Sequence, residues 1–305
     1  MGSVAVFCSA GLGNFINFTP VVAYLDSQNI TTDLYMVDSQ VPDACEIFSG
    51  FKCIRNAYHC GVDAVKSLDL AGHDFIVASI FYKKDLFGDV NVFCAALKEG
   101  QHEVESNFEA LVTAIKSTGK GYVVPTGIPD TAVSYSVNID KIIPAKSVGI
   151  HAGWGGDRKS WERKGYKYWG DVAKSLWKRG YKTVTFGTDP DRQGWEGHKN
   201  NLDLIGKLPI IELGAAMRQL VGFASADSGL AHYASAIGIK SVVLFGPTLI
   251  TKNRPWGKTA LVIAPGLECA PCQKTDRWEL CTRFRCMEYD PKDVAKQIVK
   301  HIGSK

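Results

Sequence analysis

The run Asp227-Ser228-Gly229-Leu230-Ala231-His232 combines a backbone that could hold an anion with side chains that could hold hydroxyls. It follows Leu220-Val221-Gly222-Phe223-Ala224, an apolar run that reads as a buried strand. Leu230 to Ile237 is small and apolar and reads as a helix, stopped by Gly238. Ser241 to Phe245 reads as the next strand and runs into Gly246-Pro247-Thr248. The cluster therefore belongs at a strand's carboxyl end and a helix's amino end. Open N–H groups and partial positive charge there suit a phosphate. Ser228 can cap the helix, and Gly229 lets an oxyanion come close to the backbone. Asp227 and His232 can reach the hydroxyls of a sugar. Taken alone, Asp-Ser-Gly need only cap a helix and brace a turn.

The surrounding elements repeat a strand–turn–helix rhythm. Val4 to Cys8 reads as a buried strand, and Gly11-Leu12-Gly13-Asn14 as a glycine turn. Phe15 to Leu25 reads as a helix with Pro20 in its early part, which makes the opening of an α/β unit. Residues 32–37 and 74–80 read as strands, with a helix over 60–68 between them. The loop Phe81 to Asp89 then offers Lys83, Lys84, Asp85 and Asp89. A helix from about His102 to Ser117 precedes a short strand, Tyr122 to Pro125. Proline-bearing residues 125–146 read as a connection. The pattern then restarts with a strand at 147–151 and a glycine-rich loop, 152–158. Lys159 follows, a mobile point charge that can reach a diphosphate, with Arg158 beside it. Further helices span 165–179 and 211–218, and further strands 183–187 and 202–206. Asp290-Pro291 opens a final amphipathic helix.

Asp-Ser-Gly-Leu-Ala-His, a small-residue helix, a strand and Phe-Gly-Pro-Thr together resemble glycosyltransferase family 9, the heptosyltransferase family. The likeness covers most of the chain and is densest from His151 to Pro265. It implies two Rossmann-like α/β domains facing each other across a cleft, the GT-B arrangement, with the last helix crossing back to the first domain. The expected division is 1–146 for the acceptor, 147–288 for a nucleotide sugar, and 289–305 for the returning helix. The family carries a Lys two residues before a Trp, as in Lys159-Ser160-Trp161, and that Lys holds the donor's phosphates. Ser228 and Gly229 would share the phosphates, and Asp227 and His232 the sugar. Gly187, Asp191 (with Asp189 close behind) and Leu208 would border the nucleoside. The family's first turn reads Gly-Asp, and its Asp is the general base. Here Gly13 is followed by Asn14, and an amide cannot take a proton at neutral pH. Asn14 with Gly13, Lys83 and Lys84 would meet the acceptor, and Asp85 and Asp89 are the replacement bases.

The implied reaction is inverting transfer of a sugar from a nucleotide-diphosphate donor, ADP-heptose by default, to a hydroxyl of a lipopolysaccharide core glycan. Cations and a helix end would stabilise the leaving diphosphate, so that step requires no metal cofactor. Three other readings share the motifs: transfer to a hydroxylated base of phage-type DNA, a nucleotide-sugar epimerase, and a non-catalytic nucleotide-sugar-binding protein. Charge bears on these. The whole chain carries +4, but residues 1–146 hold 10 Lys and Arg against 16 Asp and Glu, leaving 25 against 15 for the rest of the 35 and 31. A basic second half suits an anionic ligand, and an acidic first half argues against gripping a polyanion such as DNA. No apolar run is long enough for a membrane span, and the opening residues lack a signal-peptide pattern, which points to the cytosol. Among nine cysteines, Cys269, Cys272, Cys281 and Cys286 form Cys-x2-Cys-x8-Cys-x4-Cys. That spacing could hold a structural zinc, or the four could stay thiols or pair as disulfides.

Overall fold

A computed structural model describes residues 2–39, 41, 43–134, 139–153 and 159–303, apart from the side chains of Lys159 and Ser160. The chain divides into two compact units, 1–134 and 135–305. The connection read over 125–146 is tied in its later part to the second unit. Gln219 accepts from the Ile143 N–H at 3.1 Å and donates to the Asp140 carbonyl at 3.2 Å.

The first unit is a five-stranded parallel sheet: β1 (Ser3–Ser9), β2 (Thr32–Val37), β3 (Ile54–Cys60), β4 (His73–Ala78) and β5 (Val92–Cys94). Its order is β3-β2-β1-β4-β5. The central strand is covered on both faces, and its apolar run Val4 to Cys8 is fully buried. Helix α1 (Leu12–Ser27) leaves the glycine turn after β1. Pro20 has no N–H for the Ile16 carbonyl, and the Thr19 hydroxyl donates to that carbonyl instead, at 2.8 Å. The short α2 (Val62–Val65) links β3 to β4. Helix α3 (Glu103–Thr118) begins in a capping box, in which the His102 side chain accepts from Val104 N and Glu105 accepts from His102 N.

Two local readings change here. Strand β3 lies in a stretch that carried no expectation, and the helix expected over 60–68 shrinks to α2. Tyr122 to Pro125 joins no ladder. Instead the Tyr122 hydroxyl donates to Asp74, and the Val123 carbonyl accepts from Tyr24.

The second unit is a six-stranded parallel sheet: β6 (Ser147–His151), β7 (Lys182–Phe186), β8 (Asn201–Asp203), β9 (Gly222–Ala226), β10 (Ser241–Leu244) and β11 (Ala260–Ile263). Its order is β11-β10-β9-β6-β7-β8. This is the doubly wound arrangement, with the strand order reversing between β6 and β9. Helices α4 (Trp169–Trp177), α5 (Ile210–Met217) and α6 (Gly229–Ala236) connect the strands, and the short α7 (Ile250–Asn253) and α8 (Arg277–Leu280) punctuate the later loops. No described helix is long and apolar enough to cross a membrane.

The final helix, α9 (Pro291–Gly303), was expected to cross back to the first domain. One face of it is buried in the core of the second unit. Val294, Ala295 and Ile298 are buried in one cluster with Tyr166, Trp169, Val242 and Leu244. Ile302 lies over Gly222, where an added Cβ would come within 2.2 Å of it. Ile298→Ala is expected to cost about 2–5 kcal/mol. In calorimetry it should lower the transition of the second unit and leave that of the first unchanged.

Candidate active site

The carboxyl ends of the parallel strands bring His151, Gly187, Asp191, Asp227 and Ser228 to one edge of the second sheet. The strand reversal between β6 and β9 opens a crevice there, where α/β proteins bind ligands. A buried polar line spans it. His151 Nε2 lies 3.3 Å from Asp191 Oδ2, and His151 Nδ1 lies 3.1 Å from Ser228 Oγ. All three residues are buried. Asp191 Oδ2 also accepts from the Thr188 N–H at 2.7 Å and the Thr188 hydroxyl at 3.0 Å. An ionised carboxylate only accepts, so Nε2 carries the proton towards it. In the neutral imidazole, Nδ1 then accepts the Ser228 hydroxyl proton.

The space for that carboxylate comes from missing side chains. A Cβ on Gly153 would meet Asp191 Oδ1 at 1.6 Å, and one on Gly187 would meet Oδ2 at 2.6 Å. Burial raises the Asp191 pKa, but the His151 and Thr188 hydrogen bonds outweigh it, and the net shift is downward. The carboxylate placed at the nucleoside is therefore turned into the fold. Its exposed neighbour Asp189 accepts from Arg192 Nε at 3.1 Å. Leu208 is half-buried beyond β8.

Ser228 occupies the N-cap of α6 but makes no side-chain cap bond. The hydroxyl is committed to His151, which leaves the first N–H groups of the helix without the usual cap. His232 is buried one turn into α6. Lys159 opens a 3-10 turn, Lys159–Lys164, but its side chain, like all of Trp154 to Arg158, lies outside the described residues.

The sequence reading passed over Lys164. Its Nζ is 3.8 Å from Asp227 Oδ2 and 4.5 Å from the centre of the Trp161 ring. No local signal separates this lysine from the run Arg158-Lys159-Arg163-Lys164.

The late cysteine loop straps this turn. The Arg163 guanidinium lies 4.8 Å from the Trp278 ring and 5.9 Å from the Phe284 ring, and Trp161 meets Trp278 edge-on at 5.5 Å. The Pro247 carbonyl accepts from both Cys272 N and Gln273 N at 2.9 Å. All nine cysteines are free thiols. Burial pushes Cys286 up to about 11, with further pushes from Cys272, Cys281 and Cys269. These four are neighbours, yet among the described residues no three His, Cys, Asp or Glu groups are placed to hold a metal ion. Packing and backbone bonds hold the loop, and the described geometry gives the zinc alternative no support.

In the first unit, Gly13 and Asn14 lie on the first turn of α1. Asn14 Nδ2 donates to Glu103 Oε1 at 2.9 Å. Glu103, which the sequence reading took only as a helix start, is buried at the opening of α3. After β4, Tyr82 and Phe87 anchor the loop in the core. The Tyr82 hydroxyl donates to the Cys8 carbonyl at 3.1 Å, and Phe87 meets Phe7 edge-on at 4.9 Å. Lys83, Lys84, Asp85 and Asp89 are thereby displayed to solvent.

The pattern of Glycosyltransferase family 9 (heptosyltransferase) matches residues 90–282. The chain belongs to this family. It is 25% identical over 179 residues to Lipopolysaccharide heptosyltransferase 1 of Pseudomonas aeruginosa, a stretch that is 57% of this chain and 48% of that protein. The match thus spans about half the length of that relative. A family 9 glycosyl transferase from Veillonella parvula superposes with a TM-score of 0.72 at 15% identity, over 99% of this chain and 97% of that one. The E. coli ADP-heptose lipopolysaccharide heptosyltransferase II gives 0.70 at 14%, over 98% of both. At such identities the likeness is one of fold, and the fold is of the GT-B class. A nucleic-acid acceptor finds no support among these relatives.

Asp191→Asn tests the polar line. A depressed carboxylate pKa contributes stability that is present above the unfolded value of ~3.9 and lost as pH falls through the folded value. The variant should be less stable than wild type at pH 7, and the gap in urea midpoints should close as pH drops below 4.

Proposed function

We propose that this family 9 member transfers one glycosyl unit, with inversion, from a nucleoside-diphosphate sugar held by the second unit to a hydroxyl acceptor held by the first. The observation that carries the reading is the strand-reversal crevice, where an uncapped helix N-terminus, Asp227 and a lysine meet. In the reaction, an acceptor oxygen attacks the anomeric carbon, the bond from that carbon to the diphosphate oxygen breaks, and the nucleoside diphosphate departs. Negative charge grows on the leaving oxygens. Lys159 and the first N–H groups of α6, those of Ser228 and Gly229 included, would offset it. Asp227 and His232 would fix the sugar hydroxyls. Gly187, Leu208 and Asp189 would border the nucleoside, with Asp191 bracing the turn beneath. The acceptor proton would pass to Asp85 or Asp89, because the Asn14 amide has no basic site and its N–H is engaged by Glu103. ADP-heptose as donor and a lipopolysaccharide core glycan as acceptor follow from what the relatives are named for.

A thermal-shift panel of ADP, GDP, UDP and CDP tests the donor half. A ligand that binds only the folded state raises the melting temperature. One diphosphate should raise it clearly, with Lys159→Ala losing most of the rise. No rise with any of the four would overturn the reading. Turnover of the matching nucleotide sugar without an acceptor would favour an epimerase instead. Once an acceptor is in hand, Asp85→Asn or Asp89→Asn should lower kcat by roughly 10²–10⁴, the contribution of a general base, with the other variant near wild type.

A further inference from the structure

Lys164 ends the turn that Lys159 begins, and its ammonium group is in an unusual position. The side chain is only 12% exposed, and its ionic partner among the described residues, Asp227, is 10% exposed. At 3.8 Å the pair is too long for a hydrogen bond, and among the described residues Nζ makes none. The stem is largely buried while the ammonium keeps its donors open to an arriving acceptor. The Trp161 ring supports the charged end from one side at 4.5 Å. The residue next to Asp227 is Ser228, whose hydroxyl serves His151 and leaves the α6 N-terminus uncapped. The ammonium thus stands at the residue that directly precedes the N-cap of α6. Arg163, the next cation along the turn, is taken up by the Trp278 and Phe284 rings.

We propose that Lys164 is a second cation for the donor's diphosphate, held beside the α6 N-terminus by Asp227 until the nucleotide arrives. The inference rests on the nucleotide-sugar reading of the same crevice. The diphosphate supplies the missing acceptors, and Lys164 turns from Asp227 to the phosphate oxygens. Asp227 is then released to meet the hydroxyls of the sugar. The resting ion pair keeps each group in place and keeps the carboxylate from repelling the incoming phosphates.

The test is calorimetric titration of Lys164→Met, Lys164→Arg and Asp227→Asn with ADP, GDP, UDP and CDP and with the matching monophosphate and nucleoside. Lys164→Met should weaken the preferred diphosphate about tenfold or more, the worth of a charge-assisted contact, and leave the nucleoside unchanged. Lys164→Arg, which keeps the charge, should recover part of the loss. Asp227→Asn removes the competing carboxylate and should tighten the bare diphosphate. A Lys164 that merely braced the turn would give the opposite: Asp227→Asn would weaken all ligands alike, and Lys164→Met would lower nucleoside and diphosphate affinity equally. Wild-type affinity in Lys164→Met would overturn the inference and leave the donor reading standing. If Lys164→Met fails to fold, the signed effect of Asp227→Asn decides. Absence of any diphosphate binding in wild type would overturn both.

Discussion

Asp191 stays ionised where water barely reaches, and the second unit is arranged around that requirement. Two glycines make the space, one backbone N–H and one hydroxyl of Thr188 supply donors, and His151 supplies a third. The imidazole passes the constraint on, because a ring nitrogen that donates to a carboxylate leaves the other free to accept from Ser228. The line of bonds thus ties the end of β7 to the end of β6, and β6 to the turn after β9. It crosses the reversal in strand order, where no crossover helix closes the surface. The crevice is therefore held by side chains at the position where a ligand would enter.

The charges of the crevice are supplied from outside the sheet. The turn Lys159–Lys164 has no core of its own and depends on the late loop for its place. Trp278 and Phe284 flank Arg163, and Trp278 meets Trp161, on which Lys164 rests. That loop is in turn seated on the Phe-Gly-Pro-Thr turn. Gly246 has no room for a side chain there, since a Cβ would meet Met287 Sδ at 2.4 Å. The glycine of this motif is thus explained by packing of the loop, and the loop by the cations it positions. The four thiols belong to the same strap.

The first unit repeats the topology with different chemistry at its crevice. The amide of Asn14 is held by a buried carboxylate, Glu103. An Asp at position 14 would put two carboxylates within hydrogen-bond distance of each other, and such a pair shares a proton instead of ionising twice. Asn14 is therefore matched to Glu103, and the departure from the family's Gly-Asp follows from local electrostatics. Asp85 and Asp89 differ in kind. Tyr82 and Phe87 spend the apolar surface of their loop on the core, which leaves the acids in water.

The strands buried on both faces were legible from their apolar runs, and the family from Asp-Ser-Gly-Leu-Ala-His with Phe-Gly-Pro-Thr. Edge strands were not. Strand β3 is polar because Arg55 to His59 are exposed on both faces, and Tyr122 to Pro125 looks like a strand but is held by side-chain bonds to Asp74 and Tyr24. The last helix was legible only in part: its amphipathic pattern shows that one face is buried but not against which sheet. By itself the sequence determined where the chain turns, which segments are covered, and that a phosphate-sized anion suits the residues after Asp227. Only the tertiary structure decided that Asp191 faces inward, that Glu103 holds Asn14, and that Lys164 stands beside Asp227. Burial leaves a periodic trace along the chain. The meeting of two polar side chains depends on strand order and loop packing, which no short stretch of sequence encodes.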